Sequence, residues 1–266
     1  MKKLTLKISA FVLFVSISSF ANDVQVSQKK LTLNGDIFYI KGVCYHPVPL
    51  GSKHRSFDTI DQDLALMKEA GINTLRVYKP IDDIKILDKI ASYGIKVIIS
   101  FGYNQNGFFD ILSGTYIDYV KKYKDHDAIL LWELGNEYNY HPEWFGGDIA
   151  NWYNALNNAS IKIHTIDKNH PVSTAHGDLP DEQARSLVSD IDMWGVNVYR
   201  WDQPVSILEE WSDVSDKPIY FAELGSDSYM TITRDIYEEG VSESAQADAN
   251  MIMLNAVIDN IELSAG

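Results

Sequence analysis

The sequence predicts an α/β protein, a (β/α)8 TIM-type barrel that lacks its eighth strand. Three observations predict it. Seven short runs rich in β-branched and aromatic residues alternate with amphipathic helical segments, the pattern of a parallel sheet covered by helices. Nearly every run ends in polar or aromatic residues, among them Arg76, Tyr103, Asn136, Glu137, Tyr199 and Glu223. A barrel gathers all its strand ends around one mouth. After the seventh run nothing strand-like remains. An open doubly wound sheet shares the alternation, but usually places a glycine-rich phosphate loop after its first strand. Here that position reads "CYHPVPLGSKHR", which has no such motif.

The first 21 residues read as a secretory signal peptide. Lys2, Lys3 and Lys7 form a basic start, residues 8–17 an apolar middle, and Ser19-Phe20-Ala21 supplies small residues at both positions a signal peptidase reads. The apolar run is too short to span a bilayer. The expected organisation is therefore a signal at 1–21 and one catalytic barrel at 22–266, secreted or periplasmic, with no membrane association after cleavage. "KKLTLNGDIFYIKGVCYH" holds a strand, an Asn34-Gly35 turn and a second strand.

From there the alternation is regular. "FDTIDQDLALMKEAG" places Ile60, Leu64 and Met67 on one helical face and stops at Gly71. "INTLRVY" follows as a strand. "DDIKILDKIASYG" repeats the helical spacing at Ile84, Leu87 and Ile90, and precedes the strand "IKVIISFGY". The helical "YIDYVKKYKDHDA", "ANWYNALNNASIKIHTID", "LPDEQARSLVSD" and "VSILEEWSDVSD" precede "ILLWELGNE", "PVSTAHGD", "IDMWGVNVYR" and "KPIYFAELGSDS" respectively. A last helix over 244–263 has apolar residues at Met251, Leu254, Ile258 and Ile261.

Composition narrows the function. The chain of 266 residues is 45% hydrophobic and 23% charged, with a net charge of −14. Such a surface repels nucleic acid and anionic lipid, while a neutral poly- or oligosaccharide suits it. Cys44 is the single cysteine, so no intramolecular disulfide forms. Seven scattered histidines show no ligand spacing, and motifs for metallohydrolases, serine hydrolases and nucleotide binding are absent. The expected reaction uses no metal and no organic cofactor.

Two glutamates share one context: Glu137 ends the fourth run and Glu223 the seventh. In a barrel these ends face each other across the mouth. Carboxylates about 5–5.5 Å apart carry out retaining glycoside hydrolysis, and a pair about 6.5–9.5 Å apart carries out inversion. Aromatic residues cluster nearby, and sugar C–H faces stack on aromatic rings. Trp144 and Trp201 are candidates for such a platform, whereas Trp152 falls inside a helical pattern.

The segments "FYIKGVCYHP", "LALMKEAGINTLRVY", "WELGNEYN", "GVNVYRW" and "KPIYFAELG" resemble the clan of retaining (β/α)8 glycoside hydrolases with catalytic glutamates on strands four and seven. Within it the opening and the "GINTLRVY" segment look most like β-1,3-glucanosyltransferases and the family 2 glycosidase barrel. The resemblance implies that Glu137 is the acid/base and Glu223 the nucleophile. It further implies that Asn136 bonds the substrate 2-hydroxyl, Arg76 lies beneath the nucleophile, and Tyr199 donates to the same carboxylate. His176 and Tyr103 are weaker candidates for substrate contact. The expected activity is hydrolysis or transglycosylation of a β-linked glycan, a β-glucan first. The alternative is a non-catalytic or inactive, truncated carbohydrate-binding barrel. A missing eighth strand predicts an open seam between "IYFAE" and "IFYIKGV" with unpaired backbone on both edges, its simplest cause being a truncated product or an incomplete sequence.

Overall fold

The computed structural model describes residues 22–27, 29–200, 205–233 and 236–266. The expected signal segment at 1–21 and Trp201 lie outside the described residues. The chain opens with a small antiparallel sheet of β1 (Val24–Ser27), β2 (Lys30–Leu33) and β3 (Asp36–Ile37). Its turn is Asn34-Gly35, with φ of 54° and 91°, the left-handed pair that a two-residue hairpin loop requires. Val24 and Leu31 are fully buried and pack with Ile98, Leu130, Leu131 and Met193. The hairpin thus floors the barrel.

The main sheet holds seven strands, β4 (Gly42–Cys44), β5 (Thr74–Val77), β6 (Lys96–Phe101), β7 (Ile129–Asn136), β8 (Val172–Gly177), β9 (Trp194–Val198) and β10 (Ile219–Leu224). They pair in parallel and in chain order. Among the described residues six α-helices lie between them: α1 (Ile60–Glu69), α2 (Ile84–Ser92), α3 (Tyr116–Tyr123), α4 (Ile149–Ile166), α5 (Glu182–Leu187) and α6 (Ser206–Val214). Leu75, Val97, Ile99, Trp132 and Val196 pack outward in one core with Leu87, Tyr119 and Leu156 of the helices. From β5 to β9 both faces of the sheet are covered, which is why those strands read as nearly unbroken apolar runs, whereas β4 at the border is exposed. The fold is a TIM barrel one strand short of eight.

All seven runs are strands, but the first is shorter than "IFYIKGV". Phe38 still bonds the hairpin through Leu31, whereas the Ile40 N–H donates to the Ala265 carbonyl. The chain crosses from one sheet to the other between them, so β3 and β4 cannot be one strand.

The seam lies between β4 and β10, which do not pair with each other. The sequence predicts unpaired backbone along both edges, but the lower end of the seam is bridged. Ala265 donates its N–H to the Ile219 carbonyl at 2.8 Å, and Phe221 N–H donates to the Gly266 carbonyl at 2.9 Å. With the 2.9 Å bond from Ile40 to Ala265, two residues tie both edges together. Above them a cavity of about 1240 Å³ opens, lined by Cys44, Arg76, Tyr220, Glu223 and Leu254 among others. A two-residue ribbon of β11 (Tyr229–Met230) and β12 (Gly240–Val241) leads into α7 (Glu243–Ile258). Met253 and Val257 are its buried large residues. Met251, Leu254 and Ile258, expected to face the core, stay exposed, because among the described residues the seam beside Leu254 and Ile258 holds no strand for them to cover.

Candidate active site

β7 delivers the first carboxylate through a local irregularity. Glu133 and Leu131 point into the barrel while Trp132 and Leu134 point out. Pairing with β8 then slips between Glu133 and Asn136, and Gly135 adopts φ of +76°. A Cβ on Gly135 would lie 2.5 Å from the Trp152 ring, so only glycine fits. Glu137 follows in the left-handed region at φ 55°, a conformation that costs a non-glycine residue about 1 kcal/mol or more. Its N–H is held by the Ala175 carbonyl at 2.8 Å. The irregularity lifts both Asn136 and Glu137 to the mouth.

β10 repeats the device. Tyr220 and Ala222 belong to the barrel interior and Ile219 to the outer core. Strict alternation would turn Glu223 toward the helices, but the register with β9 shifts between Phe221 and Glu223. Such a shift re-aims a side chain. The Glu223 carboxylate accepts from Arg76 Nη1 at 2.8 Å, Tyr78 hydroxyl at 2.9 Å and Tyr199 hydroxyl at 2.7 Å. Burial alone would raise its pKa, but the Tyr199 hydrogen bond, the Arg76 charge and the Tyr78 bond outweigh it. The net direction is down, so Glu223 is held ionised.

Arg76 projects from β5 to the centre of the site and is nearly fully buried. Its Nη2 donates to Asn136 Oδ1 at 2.7 Å and its Nε to both oxygens of Glu133 at 2.9 Å. Glu133 is itself completely buried, and Tyr220 donates to it at 2.8 Å. On the other side Asn197 of β9 donates to Asn136 Oδ1 at 3.2 Å and to Glu137 Oε1 at 3.0 Å. One polar chain therefore runs from Glu137 through Asn197, Asn136 and Arg76 to Glu223.

The structure brings together Arg76, Asn136, Glu137, Tyr199 and Glu223. It does not bring His176 to the mouth. That ring is buried, 3.3 Å from the Tyr153 hydroxyl and edge-on to Trp194. Burial lowers its pKa despite the nearby Asp178 carbonyl. Position 176 lies out of phase with the inward-facing Ser173 and Ala175. Tyr103 packs edge-on against Phe145 and Trp152, so its ring supports the rim from beneath. Trp144 is 56% exposed and stacks on His141 with centroids 3.9 Å apart. Trp152 is buried, as a helical residue should be. Sequence reasoning missed Tyr78, Glu133 and Asn197. Alternation within "INTLRVY", "ILLWELG" and "MWGVNVY" was the available signal, since each puts a polar side chain where an apolar one is usual. Among the described residues, no group of three or more His, Cys, Asp or Glu side chains is placed to hold a metal ion.

The sequence profile of the glycosyl hydrolases family 2 TIM-barrel domain matches residues 24–238. A curated relative, the 1,3-beta-glucanosyltransferase GAS4 of Saccharomyces cerevisiae, is 23% identical over 264 residues, covering 82% of this chain and 55% of its own. Among solved structures, the β-D-glucuronidase of Dictyoglomus thermophilum superposes with TM-score 0.68 at 19% identity, covering 92% of this chain and 46% of its own. The β-glucuronidase of Bacteroides uniformis does so with TM-score 0.74 at 15% identity, covering 92% of this chain and 32% of its own. This chain thus spans about half the length of the curated relative and less of the solved ones. With a profile match across most of its length, the chain belongs to the TIM-barrel domain family of the family 2 glycosyl hydrolases.

Proposed function

We propose that the chain is the catalytic barrel of a retaining glycosidase acting on a β-linked glycan. The observation that carries this reading is the polar chain linking Glu137 to Glu223 through Asn197, Asn136 and Arg76. Glu223, ionised and oriented by three donors, attacks the anomeric carbon, while Glu137 gives its proton to the departing glycosidic oxygen. The bond to the leaving group breaks as the ester to Glu223 forms. Glu137 then takes a proton from the incoming acceptor, whose oxygen displaces Glu223. Water as acceptor gives hydrolysis, and a sugar hydroxyl gives transglycosylation. Asn136, tied to Arg76 and Asn197, is the donor for the 2-hydroxyl, and Trp144 offers a stacking face further out. The printed activity of the yeast relative favours a β-1,3-glucan. Export through the amino-terminal segment would place the enzyme where such polymers occur.

The test uses aryl β-glucosides and laminari-oligosaccharides, with shortened and lengthened products separated by chromatography. A 2-deoxy-2-fluoro aryl glycoside should label Glu223, located by peptide mapping. Glu137→Gln should lower kcat by about 10²–10⁴-fold. Azide should restore turnover to Glu223→Gly and yield a glycosyl azide of inverted configuration. Label on another carboxylate would overturn the assignment. The cavity beside Glu223, formed where β4 and β10 fail to meet, favours a second reading, a barrel that binds glycan without turnover. Oligosaccharide binding by calorimetry with no product would establish that one.

A further inference from the structure

Glu133 has no role in the reaction just described, yet it is the most deeply placed charge in the barrel. It is 0% exposed and sits between β6 and β10 below the mouth. Every neighbour on it is a donor. Arg76 gives it Nε, with Nη2 also 2.8 Å from Oε1. Ser100 donates its hydroxyl, and Tyr220 donates at 2.8 Å while sharing its own oxygen with Ser173 at 2.9 Å. A buried carboxylate with this many donors is stable only as a fitted network, since an unpaired buried charge costs several kcal/mol. The same arginine then reaches upward to Glu223 and Asn136. One cation therefore serves two carboxylates on opposite sides.

We propose that Glu133 is a positioning residue for the nucleophile. It clamps Arg76 from below, aims the guanidinium at Glu223 and Asn136, and takes up part of the cation's charge. Two consequences follow from electrostatics. Without the clamp, the arginine would need another partner to fix its planar fork, which gives directional bonds only when held. Without the Glu133 charge, Arg76 would act on Glu223 alone and favour its ionised form more strongly. A nucleophile must be ionised yet still ready to give up its charge to carbon. Sharing the arginine meets both demands.

The other groups facing this trio are Cys44 on β4, with Sγ 3.7 Å from Arg76 Nη1, and Tyr78 beyond β5. Glu137 follows β7, Asn197 lies on β9 with Tyr199 beyond it, and Tyr220 is on β10. Lys41 and Asp227 line the seam cavity.

The inference takes the role of Glu223 from the proposed function, so its test is one that needs no turnover. In protein labelled with ¹³C at glutamate carboxyls, the Glu223 signal is assigned by its loss in Glu223→Gln and followed against pH. Glu133→Gln should move its titration to lower pH, and the acid limb of kcat/KM should move with it. Tyr220→Phe, which removes a neutral bond to Glu133, should leave the titration nearly where it was. An unmoved or raised titration in Glu133→Gln, or an equal shift in Tyr220→Phe, overturns the charge-sharing role. Should Glu133→Gln not fold, Glu133→Asp keeps the charge but falls one methylene short. Its Arg76 Nε–H should exchange with solvent at least tenfold faster than in the unchanged protein, and equal rates overturn the clamp. If no glycoside is turned over, the proposed function falls while these measurements still decide the role of Glu133.

Discussion

Tyr199 and Tyr78 grip the two oxygens of Glu223 from opposite sides, one from each flank of the seam. Burial and the bonded carboxylate push the Tyr199 hydroxyl up, well out of the range in which it ionises. Both causes favour its protonated, donating form. Because both bonds favour the ionised carboxylate, removing one lets Glu223 take a proton at higher pH. Tyr199→Phe should move the acid limb of kcat/KM upward, with Tyr78→Phe moving it the same way, as a pH–rate profile in each variant will show. The opposite direction would mean that neither hydroxyl donates to Glu223. The sign also sets the stability effect. A carboxylate with a depressed pKa stabilises the fold above its unfolded value and loses that contribution as pH falls through the folded one. At this scale Glu137 and Glu223 were legible as a pair, because polar residues at successive strand ends in one consistent order rarely arise by chance, whereas Arg76 and Tyr199 were marked out by the family resemblance. Glu133 and Asn197 were not. Each lies within an apolar run, and nothing in a single run tells which polar neighbour will reach it from another strand.

The strands and helices were legible for a related reason. Buried parallel strands are nearly pure apolar runs, and "ILLWELG" or "IKVIISF" has no amphipathic alternative. The irregularities in β7 and β10 were not, since an extra residue in one strand is defined only by its partner's register. They nonetheless decide where the glutamates point. Gly135 carries the first of them. A methyl group there would meet the Trp152 ring while the residue stays at positive φ. Gly135→Ala should cost about 2–4 kcal/mol from overpacking and left-handed strain together, read as a drop in denaturant midpoint. Activity should fall further than stability accounts for, since Glu137 is two residues on. A midpoint within about 0.5 kcal/mol of the original would show that Trp152 yields freely. Helix α7 shows the converse limit. Its heptad-like apolar spacing was visible, but which side is buried depends on a neighbour that the described residues do not supply.

Across the whole molecule, hydrogen bonding is unequal. β6, β7 and β8 have a partner on each side. β4 and β10 are border strands that do not pair with each other; Ala265 and Gly266 bridge them near the base, and the Cys44 thiol donates to the Ala222 carbonyl at 3.5 Å across the seam. Amide exchange should reflect this, with Val43, Cys44, Ala222 and Glu223 losing protection well before Val97, Ile99 and Leu131. Uniform protection around the sheet would show that the seam is closed in solution. The border also divides the proposed chemistry, because Glu137 follows a central strand while Glu223 lies on a border one. A glycan held by both, with Arg76 and Tyr199 between them, would span that division. Its binding energy would then be linked to local opening as well as to the unfolding of the whole chain. Substrate would slow exchange most at Ala222 and Glu223, far more than at Leu131, and so act as the brace that the upper part of the sheet lacks.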